Sequence, residues 1–253
     1  MQTFELLDRL ELISPNNTFF TDLRKTILNN DQFALFRLLQ QQTSSQLVEG
    51  LRKYKDNTEF NADCFSRGQL ESKLWLVKEL QKTKVDLGTV FLCAGWYATL
   101  ATMLFESSII VDKIRSFDID DTCRDIAETF NKPWVKDNWK FKSSTKDIMD
   151  INYEFERYEV IRADGTTCPL DDTPDTIINT SCEHIENFEE WYAKIPAGKL
   201  VILQSNNFFE VDEHVNCVSS IKEFTTMAPM DNILYSGELD LPKYKRFMLI
   251  GHK

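Results

Sequence analysis

The sequence predicts an α/β protein built on a doubly wound, mostly parallel sheet with an antiparallel last strand, preceded by a helical extension. Three observations predict it. From Thr89 onward short apolar runs alternate with helix-period segments, the pattern of parallel strands joined by crossover helices. The last two β-rich runs, "NILYSGEL" and "YKRFMLIGHK", have only "DLPK" between them, too short for a helix, so they must pair antiparallel. Residues 1 to about 60 show helical spacing only.

In that first stretch Phe4, Leu7, Leu10 and Leu12 follow one helical face, and Phe33, Leu35, Phe36, Leu38 and Leu39 another. "SPNNT" breaks the chain between them, and Asn30 or Asp31 is placed to cap the second helix. The expected division is a helical extension over 1–64 and an α/β domain over 65–253. "GQLESKLWLVKELQKT" predicts a helix over 68–83 with Leu70, Leu74, Val77 and Leu80 facing inward. Strands and helices then alternate: "TVFLCA" and a helix over 96–105; "IRSFDI" and "DTCRDIAETFN"; "KFKSST"; "DTIINTS" and "IENFEEWYAKI"; "KLVILQS" and "SSIKEFTTM". "YEVIRADGTTCPL" interrupts this order, and its Asp164-Gly165 step predicts an inserted hairpin.

Bulk properties narrow the function. A formal charge of -11 over 253 residues, with no basic run, disfavours nucleic acid, whose affinity rests on phosphate neutralisation. The opening "MQTFELLDRLEL" lacks a basic then apolar leader, and no apolar run approaches the ~20 residues that span a bilayer. A cytoplasmic protein with no membrane partner is expected. Six scattered cysteines form no CxxC pair and have no histidine in zinc-ligand spacing, so reduced thiols and no metal are expected. Oligomeric state leaves no signal.

In an open parallel sheet the ligand sits beyond the carboxyl ends of the strands, where strand order reverses, so the first strand–helix turn carries the most information. It reads "CAGWYAT", with Gly95 alone where a dinucleotide needs G-x-G-x-x-G to approach a pyrophosphate. S-adenosylmethionine has no phosphate and asks less: one glycine permits close approach, with Trp96 and Tyr97 as walls. A buried junction with no ligand is the rival reading of the turn. Asp118 ends the next strand, 23 residues after Gly95, where a carboxylate can accept from two ribose hydroxyls. Asp120 or Asp121 beside it can cap the following helix. Asp147, just past the third strand, is placed either for an adenine amino group or for a solvated turn. Asn179 and Thr180 end the fourth, followed by Ser181, Cys182, Glu183 and His184 at the pocket mouth.

The strand followed by "CEHI", the "KIPAGKLVIL" turn and strand, and the closing antiparallel hairpin resemble the Rossmann-like class I S-adenosylmethionine-dependent methyltransferases over residues 65–253. Glu183-His184 matches the family's "EH", and Pro196-Ala197-Gly198 its "PGG" turn. The family's first motif is matched in part: Phe91 stands where an acid is expected, and Gly95 is the one glycine kept. More loosely, the chain is similar to methyltransferase-like proteins of large tailed phages, which would make the expected compartment a host cytoplasm.

The resemblance implies S-adenosylmethionine as cofactor, a small-molecule methyl acceptor, and a binding set of Cys93, Ala94, Gly95, Trp96, Tyr97, Asp118, Ile119, Asp147 and Asn179. Asn179, His184 and His214 are the catalytic candidates. His184, as an imidazole, suits a general base, or else packs behind the pocket. His214 follows the fifth strand and borders the acceptor side. Arg67 and Lys73 lie where they would meet the cofactor carboxylate or remain solvated. Cys182 is a poor nucleophile, because His184 two residues on points elsewhere on a helix. The helical extension would roof the acceptor site. Two rivals share the scaffold: transfer of the cofactor's aminocarboxypropyl arm, and a non-catalytic binding or assembly module.

Overall fold

The structure, a computed structural model, describes residues 19–29, 53–54, 60–161 and 164–253. It divides into two compact units, residues 1–60 and 61–253. In the first, α1 spans Phe19–Leu28, with Asp22 in its first turn and Lys25 near its end, both favourable to the helix dipole. The helical faces expected at Phe4–Leu12 and Phe33–Leu39, and the Asn30/Asp31 cap, lie outside the described residues.

The second unit opens with a short 3-10 turn, Ala62–Phe65, and α2, Arg67–Thr83. Ser66 caps α2 by accepting the Gln69 amide, and Lys84 ends it in a left-handed conformation. The buried side of α2 is Ser72, Lys73, Leu76, Val77, Glu79 and Leu80. This corrects the expected face: Leu74 is 50% exposed and Leu70 only half-buried, because the helix is rotated to bring Leu76 and Leu80 onto the sheet.

Next come β1 (Thr89–Cys93), α3 (Thr99–Glu106), β2 (Lys113–Asp118), α4 (Cys123–Phe130), α5 (Lys132–Lys136) and β3 (Phe141–Thr145). They are followed by the hairpin β4 (Glu156–Ile161) and β5 (Thr167–Asp172), then β6 (Thr176–Asn179), α6 (Phe188–Lys194), β7 (Leu200–Asn206), α7 (Ile221–Met227), β8 (Asn232–Asp240) and β9 (Lys245–His252). Seven strands form one sheet in the order β3-β2-β1-β6-β7-β9-β8. The first five are parallel and β9 is antiparallel to both neighbours. The chain winds outward from β1 to β3, then restarts on the other side at β6, so the order reverses between β1 and β6. The inserted hairpin is a separate antiparallel pair.

Central strands read as continuous apolar runs because helices cover both faces. All seven residues of β7 are buried, and each buried aliphatic side chain there contributes roughly 1.5–3 kcal/mol relative to exposure. One face packs Phe91, Phe117, Ile177, Val201, Leu203 and Trp191; the other packs Val90, Leu92, Leu100, Ile178, Ile202 and Leu76. Phe91 therefore belongs to the core, edge-on to Phe117 at 5.2 Å. The hairpin is fastened to β2 by a buried ion pair, Arg115 Nε to Asp172 at 2.7 Å, while Arg115 Nη1 donates to the Trp139 carbonyl at 2.6 Å and the Tyr158 hydroxyl donates to Asp172.

Candidate functional site

At the carboxyl ends of β1, β2, β6 and β7 the loops enclose a cavity of about 1010 Å³, walled by Ala94, Trp96, Asp118, Ile119, Glu183 and His184 among others. The start of α2 and the turn between β8 and β9 complete it through Arg67 and Tyr244. Its position is the point where strand order reverses, where open α/β sheets bind ligands.

The turn after β1 is tightly built. Ala94, Trp96 and Ala98 all lie in the left-handed region, each with φ of 50°. Such residues cost about 1 kcal/mol apiece unless their surroundings hold them. They are held: the Asp118 carboxylate accepts the Trp96 amide at 2.7 Å, Gly95 donates to the Phe117 carbonyl at 3.0 Å, and Ala98 donates back to Gly95 at 2.8 Å. These three residues also delay α3 to Thr99, which shortens the helix expected from Trp96. Gly95 does not have a left-handed φ; it is required because a Cβ there would collide with Ser116 Oγ on β2. The glycine is demanded by the neighbouring strand.

Asp118 reaches the cavity with its other oxygen accepting the Asp120 amide at 3.1 Å. Burial raises its pKa above the ordinary carboxylate value against the pull of those two amides. Both oxygens keep lone pairs for a ligand's hydroxyls. Ile119, 72% exposed, lines the cavity next to it. Asp120 Oδ1 accepts from the Thr122 amide and hydroxyl, so it caps the turn that leads into α4.

Several anticipated residues lie elsewhere. Tyr97 is 3% exposed and sits behind Trp96, its ring stacked on the indole at 5.0 Å and its hydroxyl accepting the Asn61 amide. Only Trp96 of the two walls the cavity. The Cys93 side chain points into the core against the Tyr153 hydroxyl, and burial pushes its thiol up to about 12. Asp147 caps the 3-10 turn Ile148–Asp150 through the Met149 amide at 2.8 Å, and it is not among the cavity walls. Asn179 is buried beside Cys93, accepts the Ser181 amide at 2.8 Å, and leaves its Nδ2 without a partner. Lys73 is buried with its amine on Gln69 at 2.6 Å, away from the cavity walls, whereas Arg67 is on them.

The loops after β6 and β7 meet across the cavity. His184, on the 3-10 turn Cys182–His184, and His214 face each other edge-on with centroids 4.7 Å apart. The Nδ1 of His184 is 3.0 Å from the Glu213 carbonyl, and that of His214 is 2.8 Å from the Phe208 carbonyl. A carbonyl only accepts, so each Nδ1 carries a proton, which in the neutral ring leaves the lone pair on Nε2. Glu183 between them is 3% exposed; one oxygen accepts from Asn206 Nδ2 at 2.7 Å and pairs with Arg246 at 3.3 Å. Glu183 lies on the cavity, at whose mouth it was expected; Asn206, Phe208, Tyr244 and Arg246 carried no signal in the sequence, because their place depends on where β7 and β9 end.

Among the described residues the six cysteines form no disulfide, and no helix is long and apolar enough to cross a membrane.

No family model matches the sequence, and no curated protein matches it. Solved structures do match the fold. The N-methyltransferase NodS from Bradyrhizobium japonicum, in complex with S-adenosylhomocysteine, superposes with a TM-score of 0.54 at 9% identity, covering 82% of this chain and 99% of that one. Magnesium protoporphyrin IX methyltransferase from Synechocystis, with bound S-adenosylhomocysteine, gives 0.52 at 12% identity, covering 81% and 93%. A sarcosine dimethylglycine methyltransferase homologue from Galdieria sulphuraria gives 0.50 at 12%, covering 73% and 86%. With its seven strands, reversed order at β1/β6 and antiparallel β9, this chain has the Rossmann-like fold of the class I S-adenosylmethionine-dependent methyltransferases.

Proposed function

We propose that the cavity binds S-adenosylmethionine and that the protein transfers its methyl group to a small acceptor. The observation that carries this reading is the placement of Asp118 and Trp96 on the same cavity as His184 and His214, at the β1/β6 reversal. The residues fit the cofactor. Asp118 offers lone pairs to two ribose hydroxyls, and Ile119 gives an apolar rest beside it for a base. Arg67, at the N-terminus of α2 and paired with Glu71 at 2.7 Å, is a cation on that wall that a carboxylate could also meet, with the helix dipole behind it. Two of the matched structures hold S-adenosylhomocysteine.

When bound, the cofactor supplies an electrophilic methyl on a sulfonium. The protein's part is to hold both ligands in line, which alone is worth several kcal/mol of barrier, ~7–11 at best. The Trp96 indole, stacked on Tyr97 and carried by a backbone amide that Asp118 holds, fixes one wall. Glu183, His184, His214 and Phe208 form the acceptor side. A volume of about 1010 Å³ is at the top of the usual ~300–1,000 Å³ range for small-molecule pockets, room for a nucleoside and a modest second ligand.

Calorimetric titration with S-adenosylmethionine tests the first half; no heat of binding at millimolar ligand overturns it and favours the non-catalytic module. Product analysis tests the second. Methyl transfer leaves S-adenosylhomocysteine, whereas methylthioadenosine would show that the aminocarboxypropyl arm moves instead.

A further inference from the structure

We infer that Glu183, His184 and His214 form a binding site for one divalent transition-metal ion. One ligand atom from each lies within 4.8 Å of those of the other two. The centre of an equilateral triangle of that edge is about 2.8 Å from its corners, against ~2.0–2.2 Å in a metal–nitrogen or metal–oxygen bond. A contraction of about 0.7 Å per ligand closes the site, within reach of small side-chain rotations.

Second contacts already set the histidine tautomer that a metal needs. Both imidazoles have Nδ1 on a backbone carbonyl, which is the outer-shell arrangement that turns Nε2 toward a metal and fixes its lone pair. Glu183 is held on one oxygen by Asn206 and Arg246, while its other oxygen, Oε2, is fully buried with no hydrogen-bond partner. A buried carboxylate oxygen without a donor is unfavourable, the more so when charged, so it calls for a positive ligand. Arg246 does not supply it: its contact is to the other oxygen.

The donor set chooses the metal. Two imidazoles and one carboxylate suit Mn, Fe, Co, Ni or Zn, whereas Mg and Ca prefer oxygen alone. Three protein ligands leave open positions, as catalytic sites do. All three residues wall the cavity, so those positions face it. Resting on the methyl-transfer reading above, this makes the acceptor a molecule with a group that can ligate the metal.

The test uses the full chain after treatment with EDTA, titrated with Co²⁺ and followed by visible absorption, with Zn²⁺ as competitor. One Co²⁺ per chain is expected, displaced by Zn²⁺, with His184→Ala and His214→Ala each weakening binding at least tenfold. His184 is exposed and His214 half-buried, and circular dichroism checks that the variants fold. For Glu183, Glu183→Gln keeps the shape and removes the charge, and an equal loss is expected. Absence of Co²⁺ binding, or binding that survives both histidine substitutions, overturns the site. S-adenosylmethionine is titrated separately into the same preparations: histidine-dependent Co²⁺ binding without cofactor binding keeps the metal site and removes the methyltransferase reading.

Discussion

The Asp118 carboxylate holds the Trp96 amide at 2.7 Å, and through it a loop with three left-handed, non-glycine residues. The same side chain that would meet the cofactor ribose thus also shapes the wall beside it.

Asp118→Ala should therefore weaken S-adenosylmethionine binding by more than one lost contact, tenfold or more by calorimetry. Unchanged affinity would remove Asp118 from the site. Burial raises the Asp118 pKa, so cofactor affinity should fall on acidification at a pH above the ordinary carboxylate range. For stability the sign is opposite: the contribution is present below the unfolded pKa and lost as pH rises through the folded one.

Gly95→Ala should destabilise by about 1–3 kcal/mol through collision with Ser116 Oγ, read by urea unfolding. Ser116 Oγ is buried without a partner, so Ser116→Ala costs little and should recover part of the loss in the double variant. If the two effects simply add, the glycine is not there for the neighbouring strand.

Asp172→Ala strands Arg115 in the interior and should cost about 3–5 kcal/mol, whereas Arg115→Met with Asp172→Leu should recover most of it. Burial pushes the Asp172 pKa up, but hydrogen bonds from Tyr158 and Arg115 outweigh it and leave the value depressed. Its stabilisation is thus present above the unfolded carboxylate pKa and lost as pH falls through the lower folded value. Acid titration of wild type against the apolar pair measures that difference.

Lys73→Met should stabilise the protein at pH 7 by about 2 kcal/mol. Burial first, and then Arg246, push the Lys73 amine down to about 8, so folding works against its charge at neutral pH. The gain should shrink between pH 8 and 10.5, as the unfolded chain alone still carries the charge. A gain that is flat with pH would show that Met merely packs better.

Much of the sheet was readable because each strand has its own apolar run, and the short "DLPK" link allowed only an antiparallel pair. The turn after β1 was harder. Its aromatic pair signalled a wall, but which ring faces outward depends on alternating backbone handedness at Ala94, Trp96 and Ala98, which propensity does not encode. In α2 the leucine spacing fitted two faces, and packing on the sheet chose the one through Leu76. His184 and His214 were each expected at the pocket, but their pairing was not legible, for a different reason. Ligand-spacing rules look for neighbours, whereas His184 and His214 are 30 residues apart and meet only because β6 and β7 are adjacent and parallel.

The β8–β9 turn also has a bearing on biosynthesis. Leu241, Pro242, Lys243, Tyr244 and Arg246 wall the cavity, although β1 and its turn leave the ribosome some 150 residues earlier. A nascent chain can pair β1, β2, β3, β6 and β7 and still have no enclosed pocket, because β9 must first insert beside β7. The walls of the cavity are thereby complete only once the chain extends through Arg246, and a chain interrupted before that point would lack the enclosure.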